Sequence, residues 1–95
     1  MDYYADAEGG AYLPDPTHAD LAGLITDLNT SDNTFFVVYP EDDDLEWFVS
    51  VSKNVGAFGG YEVRRYDPST RQDATSTAAD PTGIATDLLT WVTNR

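Results

Sequence analysis

The triplet Asp-Pro-Thr occurs twice, at 15–17 and at 80–82, and a stripe of apolar residues at helical spacing follows each copy. An Asp or Thr side chain accepts hydrogen bonds from the free N–H groups of a first helical turn, and proline suits the first helical position, where no N–H is needed. After the first copy, Leu21, Leu24, Ile25 and Leu28 recur at three- and four-residue steps and share one face, while Asp20, Thr26 and Asp27 fall mostly on the other. After the second, Ile84, Leu88, Trp91 and Val92 form the stripe and Leu89 flanks it. The residues behind the two triplets do not match, so the triplets are a shared capping solution and not an internal repeat. Two amphipathic helices are therefore predicted, the first stopped by the polar cluster Asn29-Thr30-Ser31-Asp32-Asn33.

Each stripe needs an apolar partner, and the segment between the helices supplies it. Phe35-Phe36-Val37-Val38-Tyr39 is β-branched and aromatic without interruption and reads as a strand ended by Pro40. From Leu45 to Ser52 the pattern alternates, with Leu45, Trp47, Val49 and Val51 on one side and Glu46, Phe48, Ser50 and Ser52 on the other. Pro40 to Asp44 then connects a hairpin, Gly56, Gly59 and Gly60 punctuate a second connection, and Tyr61 to Tyr66 reads as a third strand before the turn at Asp67-Pro68-Ser69. Met1 to Leu13, with Tyr3, Tyr4 and Tyr12 around Glu8-Gly9-Gly10, reads as a short hairpin or a strand and turn, and the small polar residues from Arg71 to Ala79 as a loop or irregular edge. The expectation is one α+β domain over residues 1–95: a two-layer sandwich in which an antiparallel meander of three to five strands carries both helices on one face. The opposite face then holds Phe48 and one of Phe36 or Val38. The N-terminal segment or the Arg71–Ala79 loop is expected to cover it; left uncovered, it is a binding surface.

Ninety-five residues make one domain, and 41% hydrophobic residues suffice for a core. Five Lys and Arg face 17 Asp and Glu, a net charge of −12 that repels phosphate backbones and anionic lipid heads, so direct nucleic-acid and membrane binding are not expected. The absence of Cys removes disulfides and thiolate metal sites, and His18 is the only histidine. No apolar run approaches the roughly 20 residues that cross a bilayer, and Met1-Asp2-Tyr3-Tyr4 lacks the basic then apolar order of a signal peptide; a cytoplasmic location is the default expectation.

Catalytic chemistry finds little to work with. Glu41-Asp42-Asp43-Asp44 is rich in oxygen ligands, but a calcium loop needs alternating ligands around a central Gly, and four adjacent acids on a hairpin tip diverge. Paired carboxylates are too abundant to mark a glycosidase site. His18 lies in a first helical turn beside Asp20, where exposure is expected, and Gly56-Ala57-Phe58-Gly59-Gly60 precedes a strand instead of opening a helix, unlike a phosphate-cradling loop. Arg64 and Arg65 face opposite sides of a strand and form no single anion site; at least one is expected to contact neighbouring acids. No cofactor, metal or enzymatic activity is expected.

Helix Leu21 to Leu28, strand Trp47 to Val51, the Gly59-Gly60-Tyr61 turn and the closing Asp87-Leu88-Leu89-Thr90-Trp91 together resemble the immunity proteins of bacterial polymorphic toxin systems, particularly the small actinobacterial type with a helix, an antiparallel meander containing a Gly-Gly-aromatic turn, and a closing helix. The resemblance implies an inhibitor whose acidic surface covers a basic toxin or enzyme. A second reading is a DNA mimic aimed at a DNA-binding enzyme. A third takes the acidity as adaptation to high salt, since Lys occurs once, Asp outnumbers Glu by 13 to 4 and Thr is abundant. For an interface, Glu41, Asp42, Asp43 and Asp44 are expected to supply long-range attraction, with Tyr39, Phe48 and Phe58 as apolar anchors.

Overall fold

The computed structural model describes residues 2–53 and 60–95. Both capping expectations hold. Thr17 caps α1 (His18–Thr26) in a reciprocal box: its side chain accepts from the Asp20 N–H while the Asp20 carboxylate accepts from the Thr17 N–H. Asp80 caps α2 (Pro81–Thr93), whose first residue is the proline. Behind α1, the Asn29 side-chain oxygen accepts from the backbone N–H groups of Ser31, Asp32 and Asn33, which closes the turn where the polar cluster predicts a stop.

The fold is α+β, but the sheet exceeds the three to five strands expected. Six antiparallel strands run in the order β2-β1-β3-β4-β5-β6. They are β1 (Tyr3–Ala7), β2 (Tyr12–Pro14), β3 (Phe35–Pro40), β4 (Phe48–Lys53), β5 (Tyr61–Asp67) and β6 (Gln72–Ala78). The N-terminal hairpin turns through Gly10, whose φ of +105° is open to glycine at no steric cost, and β1 then pairs with β3 from Tyr3↔Pro40 to Ala7↔Phe36.

The segment read as a loop, Arg71 to Ala79, is largely β6. It pairs with β5 from Tyr61↔Ala78 to Asp67↔Gln72. Its lack of alternation has a physical cause: Asp73 to Ala78 are exposed on both faces, so no face required apolar residues. Partner pairing, not patterning, makes it a strand.

Alternate residues of the inner strands meet both helices in one core, which includes Phe36, Val38, Val49, Val51 and Val63 from the sheet, Leu21, Leu24 and Ile25 from α1, and Ile84, Ala85, Leu88 and Val92 from α2, so Phe36 and Val38 both face the helices and neither takes the opposite face as expected. Leu45 is a correction. It lies before β4 and is 48% exposed, whereas Trp47 does turn into the core, against Trp91 at 5.7 Å. His18 is a second correction: it is half-buried, and its Nε2 lies 3.2 Å from the Thr82 carbonyl and 3.0 Å from Thr86 Oγ1, joining the start of α1 to α2.

Candidate interaction surface

Period-two alternation sends Tyr4 of β1, Phe35, Val37 and Tyr39 of β3, Phe48 of β4 and Tyr66 of β5 away from the helices. The two segments expected to cover that face do not. Met1 to Leu13 contributes strands to the sheet, and Arg71 to Ala79 extends its edge, so among the described residues nothing overlies it. Phe35 stays 38% exposed, Tyr39 37% and Tyr12 54%.

Register turns these residues into a row. Tyr4 lies opposite Tyr39, and Phe48 opposite Tyr66. One step beyond Val38↔Val49, the same register places Tyr39 opposite Phe48. The rings of Tyr12 and Tyr4 are 5.4 Å apart, those of Tyr4 and Tyr39 5.5 Å, and Phe48 and Tyr66 stack at 5.2 Å. Arg64 finishes the row, with its guanidinium 5.4 Å from the Phe48 ring and both Nε and Nη2 donating to the Asp73 carboxylate at 3.0 Å. That fork holds the Asp73 carboxyl below its usual range and raises the Arg64 pKa further. It is the contact with acids expected of the arginine pair; Arg65 points the other way and donates to Ser76. Beside the row, Phe35, Val37, Tyr39, Phe48, Ser50 and Ser52 line a shallow hollow of about 350 Å³.

The acidic tip sits at one end of this row. Asp42 and Asp43, with Glu46, line a depression shared with Tyr4, Tyr39 and Phe48. The Asp42 side chain accepts from the Asp44 N–H, and the Glu41 N–H donates to the Asp2 carbonyl, tying the tip to the start of β1. Burial among the rings, then Tyr39 and the negative charge of Glu41, push the Tyr4 hydroxyl above its ordinary pKa, so it remains a neutral donor. Tyr39 and Phe48 thus line one depression with Asp42 and Asp43, whereas Glu41 and Asp44 do not line it. Phe58 lies outside the described residues.

Three features escaped the sequence reading. Tyr4, Tyr12 and Tyr66 belong to the exposed row, which needs register to be seen. A cleft of about 450 Å³ lies between the tip and the C-terminal end of α2, lined by Asp2, Glu41, Asp42, Trp47 and Arg95, and the buried Trp47 Nε1 makes no hydrogen bond. The third was readable: residues 1–47 hold 12 Asp and Glu and no Lys or Arg, whereas residues 48–95 hold five of each. In the sheet, β2, β1 and β3 from the acidic part of the chain lie together, and β4, β5 and β6 from the neutral part lie together.

Among the described residues no group of three His, Cys, Asp or Glu side chains is placed to hold a metal ion, and no helix is long and apolar enough to cross a membrane. Comparison with protein families, with curated proteins and with solved structures gave no match.

Proposed function

We propose that this chain is a protein-binding inhibitor of the immunity type, which neutralises a toxin or nucleic-acid enzyme with a basic surface. The observation that carries the reading is the convergence of Tyr4, Tyr39 and Phe48 with Asp42, Asp43 and Glu46 around one depression on an uncovered sheet face. Aromatic anchors supply contact area at little entropic cost, and the surrounding acids steer a basic partner in and disfavour acidic ones. The net charge of −12 strengthens the steering, since five of its acids lie between Glu41 and Glu46 beside the anchors. No catalytic step belongs to this function.

The test is capture of the partner from a lysate of the source organism at about 0.1 M and about 1 M salt, with surface variants run in parallel. Wild type is expected to recover one basic protein in near-equal amount. Asp42→Lys with Asp43→Lys should lose it at low salt through slower association, Phe48→Ser should lose it at both salts, and Asp87→Lys on the exposed side of α2 should keep it. Recovery of nothing, or of a partner indifferent to Phe48→Ser, refutes the proposal. A captured enzyme that added DNA displaces would identify the protein as a DNA mimic.

A further inference from the structure

The two edges of the sheet differ. β2 is three residues long and ends in Pro14, which has no N–H to offer a neighbour. β6 runs for seven residues, Gln-Asp-Ala-Thr-Ser-Thr-Ala, and among the described residues no strand pairs with its outer side. It carries no lysine and no proline, and among the described residues its side chains from Asp73 to Ala78 stay exposed, so the usual protections of an open edge are missing there. Its single charge, Asp73, is already neutralised by Arg64. β6 also bounds the side of the sheet built from residues 48–95, which carry no net charge.

We propose that β6 is a self-pairing edge, through which two copies of this chain join antiparallel about a two-fold axis at Thr75. Electrostatics selects this edge. Two chains of −12 repel on approach, whereas contact through β6 joins strands drawn from residues 48–95, whose charges cancel, and leaves β2, β1 and β3 at the far ends of the joined sheet. Full overlap of the seven residues sets the register: Thr75 faces Thr75 of the other copy, Ala74 faces Ser76, Asp73 faces Thr77 and Gln72 faces Ala78. No like charges oppose, and Thr–Thr pairs across antiparallel strands are favourable. The assembly closes at two copies because the contact is isologous and the remaining edges, both β2, are blunted. The inference stands apart from the proposed partner binding, which uses the outer sheet face and the acidic tip, not the β6 edge.

Light scattering over a concentration series from about 10 µM to about 1 mM tests it. Wild type is expected to pass from 10.4 kDa to twice that mass. Thr75 lies opposite Arg64 on β5, so Thr75→Glu adds a favourable neighbour within each copy while setting like charges against each other on the axis. It should remain monomeric with an unchanged circular dichroism spectrum, and an equal mixture of Thr75→Glu and Thr75→Lys should regain the doubled mass. The chain has no cysteine, so Thr75→Cys provides an independent register test: directly opposed Cα atoms lie about 4.5–5.5 Å apart, within disulfide reach. Oxidation should cross-link Thr75→Cys and leave Ala78→Cys, whose two copies lie about 20 Å apart in this register, largely uncrossed. A wild type monomeric throughout, a dimer unaffected by Thr75→Glu, or equal cross-linking at 75 and 78 would overturn the proposal.

Discussion

Phe35 and Phe36 are chain neighbours on one strand with opposite surroundings, and the same substitution at each measures whether the outer sheet face is open. Phe36 is 0% exposed and packed between sheet and helices. Truncation to Ala there removes the transfer free energy of the ring and leaves a cavity, a loss of about 4 kcal/mol. Phe35 is 38% exposed and rests only on neighbours in the same face. Its truncation leaves no enclosed cavity, and scaling a full side-chain burial of about 2.5 kcal/mol by the fraction shielded gives about 1.5 kcal/mol. For a domain of this size the two losses correspond to falls in Tm of roughly 16–30 °C and 6–12 °C. Urea denaturation followed by tryptophan fluorescence checks them, with the two variants compared at one temperature and a common m value. Phe35→Ala losses that match those of Phe36→Ala would mean that the outer face is covered as tightly as the inner one, and the interaction surface would fall with it.

The C-terminal end of α2 is tied to the sheet by Arg95, whose guanidinium donates to the buried Asp67 carboxylate at 2.6 Å and lies 4.3 Å from the Trp91 ring centroid. Arg95→Met leaves Asp67 with its Ser69 hydrogen bonds alone and should cost about 2 kcal/mol in urea denaturation, less than a fully stripped buried charge because those bonds remain. The Ser69 hydroxyl, then Arg95 and the Ser69 N–H, hold the Asp67 pKa low against the opposing effect of burial. Stability from a depressed carboxyl is present above its unfolded pKa and lost as pH falls through the folded one, so the gap between wild type and Asp67→Asn should be full at pH 7 and shrink below about pH 4; a gap constant with pH refutes the linkage. Gly23 lies exposed in the middle of α1, with open space where a Cβ would stand. Gly23→Ala should raise Tm by about 2–8 °C in a thermal melt, and a fall would show that α1 is more crowded there than its surroundings indicate.

Sequence and structure agree most closely where the determinants are local. Thr17 with Asp20, and Asp80 with Pro81, fix two helix starts within a turn, and the alternation around Phe48 assigns its face before any strand partner is known. Agreement fails where a distant partner decides. β6 has no pattern of its own because neither of its faces is covered, so only β5 makes it a strand. Leu45 continues the alternation of Trp47 and Val49 on paper, but the tip breaks the strand before it, with the Leu45 N–H donating to the Asp42 carbonyl. The aromatic row could not be read at all without register. Tyr12, Tyr4, Tyr39, Phe48 and Tyr66 are scattered over 63 residues and align only when five strands pair. The unequal charge of the two chain halves was legible throughout, since it needs only the running balance of acids and bases along the chain.

That balance also bears on whether the acidity is an adaptation to salt or part of a function. Adaptation would place acids over the whole surface, since every exposed element meets the same solvent. Here residues 48–95, which hold β4, β5, β6 and α2, are neutral in sum, and the −12 lies in residues 1–47, with five of its acids between Glu41 and Glu46. Acids concentrated in one part of the chain, five of them beside the aromatic anchors, suit steering towards a partner, and their cost is self-repulsion among them. Salt should relieve this cost only over the range in which it shortens the screening length below the spacing of surface acids, from about 10 Å at 0.1 M to about 3 Å at 1 M. The protein is therefore expected to be folded at about 0.02 M NaCl, to gain several degrees in Tm by about 0.5 M, and to change little between 1 and 3 M. A chain unfolded at the lowest salt whose Tm still climbs steeply beyond 1 M would have its acids serving hydration in brine, and the inhibitor reading would lose its electrostatic support.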